Sequence, residues 1–559
     1  GDSFLTITLP AFCQDFERGL DRGWIAPGDF PNFRKKKGSS GTPAFLSEFL
    51  CSVFDSEGHL LSEPSIVCIL CVRQICLFAK KILRPCDERR QKDAIEAYAQ
   101  CDCEVNSSLP DSQLGRYFGY VSDIVTKALG VDSLEREDLR PRHGPGATRE
   151  GIFGNQKYVH RVWHERLEAV GFNYLLYGHG SDTVDHWDLS PNTWPMLLDP
   201  ETEQPSRVVL VPKTMKTPRV IAIEPVCMQY IQQALSRFLV DSVENCQLTR
   251  HRVNFRDQGV NQRRALHSSV TRQLATLDMK DASDRVSMCH VERLFSACPD
   301  FLDMVKACRS TRTELPSGEV LTLSKFASMG SALCFPVESL VFFVSIIASR
   351  ICRAGDFPTP STVFRYAKSV YVYGDDLIVP SDEAPSICDD LESLGFKVNR
   401  RKSFWTGQFR ESCGSDCYGG QKVTPVYLRR DLPTSRGEVS ELLSTVSTAN
   451  QLFRAGFYRT ALLLRDEVED LLGPLPQVTE ESSAIGWYDF SDSRPIRRWN
   501  RNLQHGEIRA WVPFTPKQSD PLTGRSAMVK CLLQGGQEIV SSAVDHLESS
   551  PSRFRLALK

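Results

Sequence analysis

The sequence predicts an α+β protein whose sheet carries carboxylates at its edge. Residues 276–430 alternate short β-branched or aromatic runs with helical patterns. Acidic residues stand at the ends of those runs, at Asp278 and at Asp375 with Asp376. The stretch YGDDLIVP, at 373–380, sets a Gly-Asp turn between SVYVY and LIV, two runs rich enough in Val, Ile and Tyr to pair as a hairpin.

Taken in order, residues 1 to about 205 read as mixed and loop-rich, with a helical pattern in CDERRQKDAIEAYAQC and a Gly-Pro turn at 142–148. The RKKK run at 34–37 reads as a solvated face able to touch phosphate. From 206, SRVVLVPKTMKTPRVIAIEP gives a strand, a basic turn and a second strand. MQYIQQALSRFLVDSV puts Ile231, Leu235, Phe238 and Leu239 on one helical face. VNQRRALHSSV is expected as a basic loop, QLATLDM as a strand and KDASDRVS as the start of a helix. An apolar helix is expected at 335–350 and an acidic one at DDLESLG; FRESCGSDCYGGQKVTPVYLRR adds two short strands and a turn. Beyond 431 the pattern is mostly helical.

The 559 residues are enough for several subdomains. With 67 Lys and Arg against 69 Asp and Glu, the net charge of -2 exerts no global pull on a polyanion, so local clusters must hold one. The 19 cysteines are odd in number and scattered through apolar runs such as SIVCILCVRQICLF, which reads as reduced core thiols. Cys101 with Cys103, and Cys413 with Cys417, lack a second pair at zinc-ligand spacing, so core packing is the better account. The run FPVESLVFFVSIIA, at 335–348, contains a Glu and is expected to be too short to span a bilayer. No charged segment followed by an apolar one opens the chain, so the expectation is a cytoplasmic protein without membrane contact.

The chemistry expected at the sheet edge is nucleotidyl transfer. Asp278 ends an apolar strand, where its side chain can project beside Asp375 and Asp376. Mg²⁺ takes one or two carboxylates plus substrate phosphates. Two such ions stabilise the attacking and leaving oxygens of an in-line displacement, and Mn²⁺ or Ca²⁺ is able to substitute in such a site. Asp375 is expected to bridge both ions and Asp376 to assist; Asp281 reads as a solvated or capping residue. Lys213, Lys216 and Arg219 lie along the strand-turn-strand unit as candidate triphosphate ligands. Lys402, in NRRKSF, is a candidate proton donor to the leaving pyrophosphate. Ser283 and Asp284 are candidates for the sugar, whose 2′-hydroxyl both donates and accepts, or for caps of a helix beginning at Arg285. Ser328 and Gly330, in SMGSALCF, suit a close approach to ribose or template backbone. Arg263, Arg264, Arg400, Arg401, Arg429 and Arg430 are candidate RNA contacts, each otherwise ordinary surface charge.

The motif order VPKTMKTPRVIAIEP, VNQRRALHSSVTRQLATLDMKDASD, SMGSALCFPVESLVFF, YGDDLIVP and GFKVNRRKSFWTGQFRESCGSDCYGGQKVTPVYLRR resembles the replicase catalytic subunit of the leviviruses, small positive-strand RNA bacteriophages. The resemblance covers most of residues 206–430. It implies an RNA-dependent RNA polymerase with a right-hand fold of fingers, palm and thumb, whose antiparallel palm sheet holds Asp278, Asp375 and Asp376 as metal ligands. In those terms residues 1–275 are the N-terminal region and fingers, 276–430 the palm with a fingers insertion near 295–325, and 431–559 the thumb and C-terminal region. The resemblance also implies primer-independent copying of a single-stranded RNA genome from ribonucleoside triphosphates in the cytoplasm of an infected bacterium. The implied partners are template and product RNA, host translation factors and a ribosomal protein, and the FRESCG segment is implied to support the primer-side strand. One departure stands out: after Met329 and Gly330 the family commonly has Asn, where this chain has the shorter Ser331.

Two rival readings share these motifs. A reverse transcriptase has a similar palm, but such enzymes generally place a bulky aromatic a few residues after the first metal aspartate, and KDASD has none. A catalytically inactive palm that only binds RNA would not need three carboxylates together with Lys213, Arg219 and Lys402.

Overall fold

The hairpin at 373–380 forms, and its second strand becomes the middle of a three-stranded antiparallel sheet. In this computed structural model, which describes residues 1–37, 41–105, 109–178, 195–490, 498–514, 524–534 and 553–558, Tyr371–Tyr373 pairs with Asp376–Pro380, and Tyr373 stands opposite Asp376. The loop is therefore two residues, Gly374 and Asp375. Gly374 has φ +60°, the sign a type II′ hairpin turn requires at its first central position. A Cβ there would lie 2.3 Å from the Phe335 ring, so shape and backbone both demand glycine. Leu274–Asp278 pairs with the other edge of Asp376–Pro380.

Ala275, Leu277, Leu377 and Val379 turn one face of this sheet into the main core, where they join the helix Cys334–Ala354. The apolar stretch there was expected to be too short to span a bilayer. The helix instead runs 21 residues and is long and apolar enough, by length and composition, to cross one. Its burial explains the composition. Leu340, Val341, Phe342, Phe343 and Val344 are fully enclosed by protein, and a helix apolar on all sides needs such surroundings. Gly355, at φ 69°, ends it in the left-handed conformation common at helix C-termini.

A four-stranded sheet stands apart from the hairpin sheet, in the order Arg219–Ile223, Ser206–Val211, Arg312–Glu314, Val320–Thr322. Its first two strands are the expected pair, joined by the basic turn. The last two form a hairpin that packs parallel onto Ser206–Val211, so residues 312–322 leave the chain's neighbouring elements to join the sheet of the basic turn. A third sheet is the meander Arg410–Ser412, Ser415–Tyr418, Gln421–Lys422. The N-terminal helices Leu9–Arg22 and Ile66–Leu77 pack on Phe404, Phe409, Tyr418 and Val423 beside it. The fully buried Arg73 fastens this contact, donating to Glu17, to Asp416 and, at 2.9 Å, to the Val423 carbonyl. Helices Val439–Arg454 and Tyr458–Leu472 share a separate apolar core.

Three expectations are corrected. VNQRRALHSSV is a helix, Gly259–Thr271, and not a loop. Its buried face, Val260, Asn261, Ala265, Ser268 and Ser269, keeps helical spacing but is small and mostly polar, so it left little apolar periodicity to read. KDASDRVS starts no α-helix: Ser283–Arg285 is a single 3₁₀ turn, and the helix begins at Met288, capped by Ser287. The C-terminal part adds strands at Arg498–Asn500, His505–Glu507, Arg509–Phe514 and Arg553–Leu558 to the expected helices.

Candidate active site

The antiparallel register sets Asp278 directly opposite Asp376, with Cα atoms about 4.5–5.5 Å apart for such pairs. Asp375 sits exposed on the adjoining turn. Asp278 is gripped by one loop: its amide donates to Ser403 Oγ at 3.1 Å, and its Oδ2 and carbonyl accept from Asn399 at 2.7 and 2.8 Å. Asp376 is held from below, its carboxylate accepting from Ser412 Oγ at 3.4 Å and its carbonyl from Asn261 Nδ2 at 3.2 Å. Burial first, then the negative charges of Glu411 and Asp375, push Asp278 up to about 6, although Lys402 and the Asn399 bond pull the other way. Burial, then Asp375, Glu411 and Asp278, push Asp376 up to about 7. Glu338, buried in the core helix beneath, is raised well above the carboxylate range by burial and then by Asp375 and Asp284. Asp375 is thus the carboxylate whose charge reaches Asp278, Asp376 and Glu338 alike.

Like charges crowded this way call for a cation. Among the described residues no three His, Cys, Asp or Glu side chains converge into a ready-made metal cage. Mg²⁺ does not require one, because it takes one or two carboxylates and completes its shell with water and substrate oxygens. The open Asp375 beside the half-buried, anchored Asp278 fits that donor set.

Basic residues lie close by. Lys213 is exposed at the end of the basic turn; partial desolvation, then Arg219 and Lys402, lower its pKa, while Asp375 and Asp278 oppose the shift. Lys402 is half-buried: burial pulls it down, but Asp278, Glu411, Glu17 and Asp375 outweigh that and raise it, so it is charged at neutral pH. Among the described residues neither these two lysines nor Lys216 nor Arg219 closes an ion pair. Lys216 is exposed on the same turn.

Other expected residues are committed elsewhere. Ser328 was expected at the ribose or template, but it is buried with its hydroxyl 2.5 Å from that of Tyr98. Gly330, at φ +123°, has no room for a Cβ, which would sit 2.0 Å from the Ala222 carbonyl oxygen; it is glycine because the turn packs on the strand Arg219–Ile223, where Ala222 donates to the Met329 carbonyl. Ser331 donates to Gln232 Oε1 at 3.2 Å and so turns toward the helix Val226–Asn245. Ser283 is buried, and Asp284 pairs with Lys325 at 2.9 Å. Arg400 was expected to contact RNA, but Asp389 and Glu392 neutralise it at 2.6 and 2.8 Å. Arg263 pairs with Asp257, Arg264 lies over the Tyr371 ring, and Arg401 is exposed.

Asn399, Ser403, Glu411, Glu338, Lys325 and Tyr98 were not anticipated. Asn399 and Ser403 flank Lys402 in NRRKSF and were within reach of a closer reading. Tyr98 lies in a different part of the chain, where no spacing rule points to the site.

Residues 200–446 match the family RNA replicase, beta-chain. That span holds all three aspartates, the basic turn and Lys402. The RNA-directed RNA polymerase subunit beta of Escherichia virus Qbeta is 38% identical over 224 residues, 40% of this chain and 35% of that one. Its counterpart from Enterobacteria phage SP is 37% identical over 232 residues, 42% of this chain and 37% of that one. The RNA-directed RNA polymerase beta chain of Escherichia phage MS2 is 33% identical over 228 residues, 40% and 37% respectively. The matched stretch therefore spans little more than a third of each relative. An RNA-dependent RNA polymerase of a human picorbirnavirus aligns over 48% of this chain and 57% of its own at 14% identity and a TM-score of 0.34, an overlap too loose to argue from.

Proposed function

We propose that this chain is the catalytic subunit of an RNA-directed RNA polymerase, one that copies a single-stranded RNA bacteriophage genome by two-metal nucleotidyl transfer without a primer. The observation that carries the reading is the pairing of Asp278 with Asp376 beside the exposed Asp375, within electrostatic reach of Lys213, which with Arg219 closes no ion pair among the described residues, inside the segment similar to phage replicases. In this reading the hairpin sheet is the palm of a right hand, with the palm at 276–430, the N-terminal region and fingers at 1–275 and the thumb and C-terminal region at 431–559. The pairing of residues 312–322 with the basic-turn sheet supports an insertion from palm into fingers.

Asp278 and Asp375 would hold Mg²⁺, with Asp376 assisting; the ions would neutralise charge on the attacking and leaving oxygens. Lys213 and Arg219 bind the triphosphate, their charge unspent on protein carboxylates. Lys402, charged at neutral pH, donates a proton to the departing pyrophosphate and cannot act as a base until it is deprotonated. RNA and ribonucleoside triphosphates are the substrates; host translation factors and a ribosomal protein are the proposed partners, in the cytoplasm of an infected bacterium.

The test is incorporation by the purified chain given an RNA template, Mg²⁺ and either ribo- or deoxyribonucleotides, with and without bacterial extract. Ribonucleotide incorporation is expected, and Asp375→Asn should lower its rate by about a thousandfold, at the upper end for loss of one electrostatic stabiliser, while RNA binding by filter assay stays unchanged. Preference for deoxyribonucleotides, or normal synthesis by the variant, overturns the reading.

A further inference from the structure

The C-terminal end of the helix Gln113–Ala128, the loop after the turn Arg136–Asp138 and the helix Val226–Asn245 bound a surface cleft of about 520 Å³. Its wall is apolar, formed by Leu129, Leu139, Ala234 and Phe238, and its charged lining is Asp138, Arg140, Arg237 and Asp241. Arg237 stands about 140° around its helix from Gln232, the residue that meets Ser331. The cleft therefore opens on the side of that helix away from the 328–332 turn, and it shares no residue with the carboxylate site.

Among the described residues the Arg237 guanidinium closes no ion pair, and its Nε and Nη2 are buried without an acceptor. These two nitrogens form the edge that grips a pair of oxygens side by side. Elsewhere the chain fills that edge with a carboxylate. Arg166 donates from Nε and Nη2 to Glu203 at 2.6 and 2.7 Å, and Arg350 does the same to Glu383 at 2.7 Å in both bonds. The natural partner for Arg237 is Asp241, one turn along on the same face. Asp241 instead accepts from Arg256 at 2.5 Å, and Arg256 also takes Glu244 at 2.7 Å. Burial, then the Arg142 charge, lower the Arg237 pKa, while Asp241 opposes them. An arginine stays charged all the same, so this unspent fork is costly and a ligand oxyanion offsets the cost.

We infer that this cleft binds a nucleoside phosphate, with the phosphate on Arg237 and the base along the apolar wall. A space of this volume suits a small organic molecule better than a bare anion. Arg140, exposed at the rim, adds a second cation. Asp138, exposed beside it, repels a bare anion but accepts from a sugar hydroxyl or an exocyclic amine. The Arg237 fork faces away from solvent, so rotation about its side-chain torsions brings it to the phosphate, a movement between staggered rotamers that the open cleft allows. A free ribonucleotide and one nucleotide of a single-stranded RNA share this chemistry. The inference does not rest on the polymerase reading, since no step of it involves the carboxylates.

Equilibrium dialysis without divalent ions measures the binding of AMP and of a short oligoadenylate to the full chain, Arg237→Met and Arg140→Ala. The full chain should bind AMP, and Arg237→Met should weaken that binding about tenfold, the loss of one charged hydrogen bond. Its melting temperature should not fall, since the substitution removes donors that have no partner. Arg140→Ala changes an exposed residue and should weaken binding by a smaller factor; it decides the matter where Arg237→Met melts early or fails to fold. Oligoadenylate binding that is tighter than AMP and sensitive to Arg237 identifies the ligand as RNA, and equal binding of the two identifies a free nucleotide. Binding unchanged in the folded variants overturns the inference. So does displacement of AMP by the same concentration of inorganic phosphate or acetate, which marks a site for any oxyanion. These outcomes leave the polymerase reading standing, and a chain that binds AMP in this way but incorporates no nucleotide overturns that reading alone.

Discussion

Asp278 and Asp376 face each other across paired strands at a cost in stability, since like charges placed directly opposite repel and burial removes the water that would screen them. Their folded pKa values, about 6 and about 7, lie above the ordinary carboxylate value of about 4. Below about pH 4 both states are protonated; between there and pH 7 the folded state keeps protons that the unfolded state has lost, so stability falls as pH rises through that window. Without divalent ions, the melting temperature should therefore decline from pH 5 to pH 8, and Asp376→Asn should flatten the decline. Added Mg²⁺ should raise the melting temperature more at pH 8 than at pH 5.5, because protons compete for the same oxygens. An equal effect at both pH values would remove the carboxylates from metal binding. At this scale the aspartates, Lys213 and Lys402 were legible because their chemistry is local to a strand end or a turn. The packing of Ser328 on Tyr98 and of Gly330 on Ala222 was not legible, because a buried hydroxyl and a glycine packed on backbone look, in sequence, like a flexible turn.

Among elements, the contact between the N-terminal helices and the 410–422 meander depends on Arg73, whose buried charge is met by Glu17 and Asp416. Arg73→Ala should destabilise the chain by about 3–5 kcal/mol, because it strands two buried carboxylates. Arg73→Met with Glu17→Gln and Asp416→Asn should recover much of that loss in urea unfolding. If the single and triple variants unfold alike, the ion cluster is not what binds these elements. Strands and helices with strong apolar periodicity, such as the hairpin and Cys334–Ala354, were readable. Gly259–Thr271 was not, because its buried face is Ala, Ser and Asn packed close to a sheet, a fit that depends on size more than hydrophobicity.

For the whole molecule, a near-neutral net charge means that the proposed RNA affinity must come from unpaired local cations. Arg401→Ala should reduce the salt dependence of RNA binding by about 0.7 in slope, one phosphate contact on a single strand. Arg400→Ala should leave it unchanged, since Asp389 and Glu392 already neutralise that guanidinium. Fluorescence titrations across a salt series check both, and equal slopes for the two variants would show that ion pairing does not sort the basic residues. Sequence alone offered the two as equals, because partners brought by the adjacent helix Ala384–Ser393 are a matter of its placement.

What the sequence by itself determined was the α+β class, the hairpin that carries Asp375 and Asp376, the strand ending in Asp278 and the basic turn, all set by short-range alternation and turn chemistry. What only the tertiary structure decided was which charges are free. The direct pairing of Asp278 with Asp376, the enclosure of Lys325 between Asp284 and Tyr98, and the capture of Ser331 by Gln232 each join residues far apart in the chain. Burial and proximity across such distances arise from packing, which no local pattern encodes.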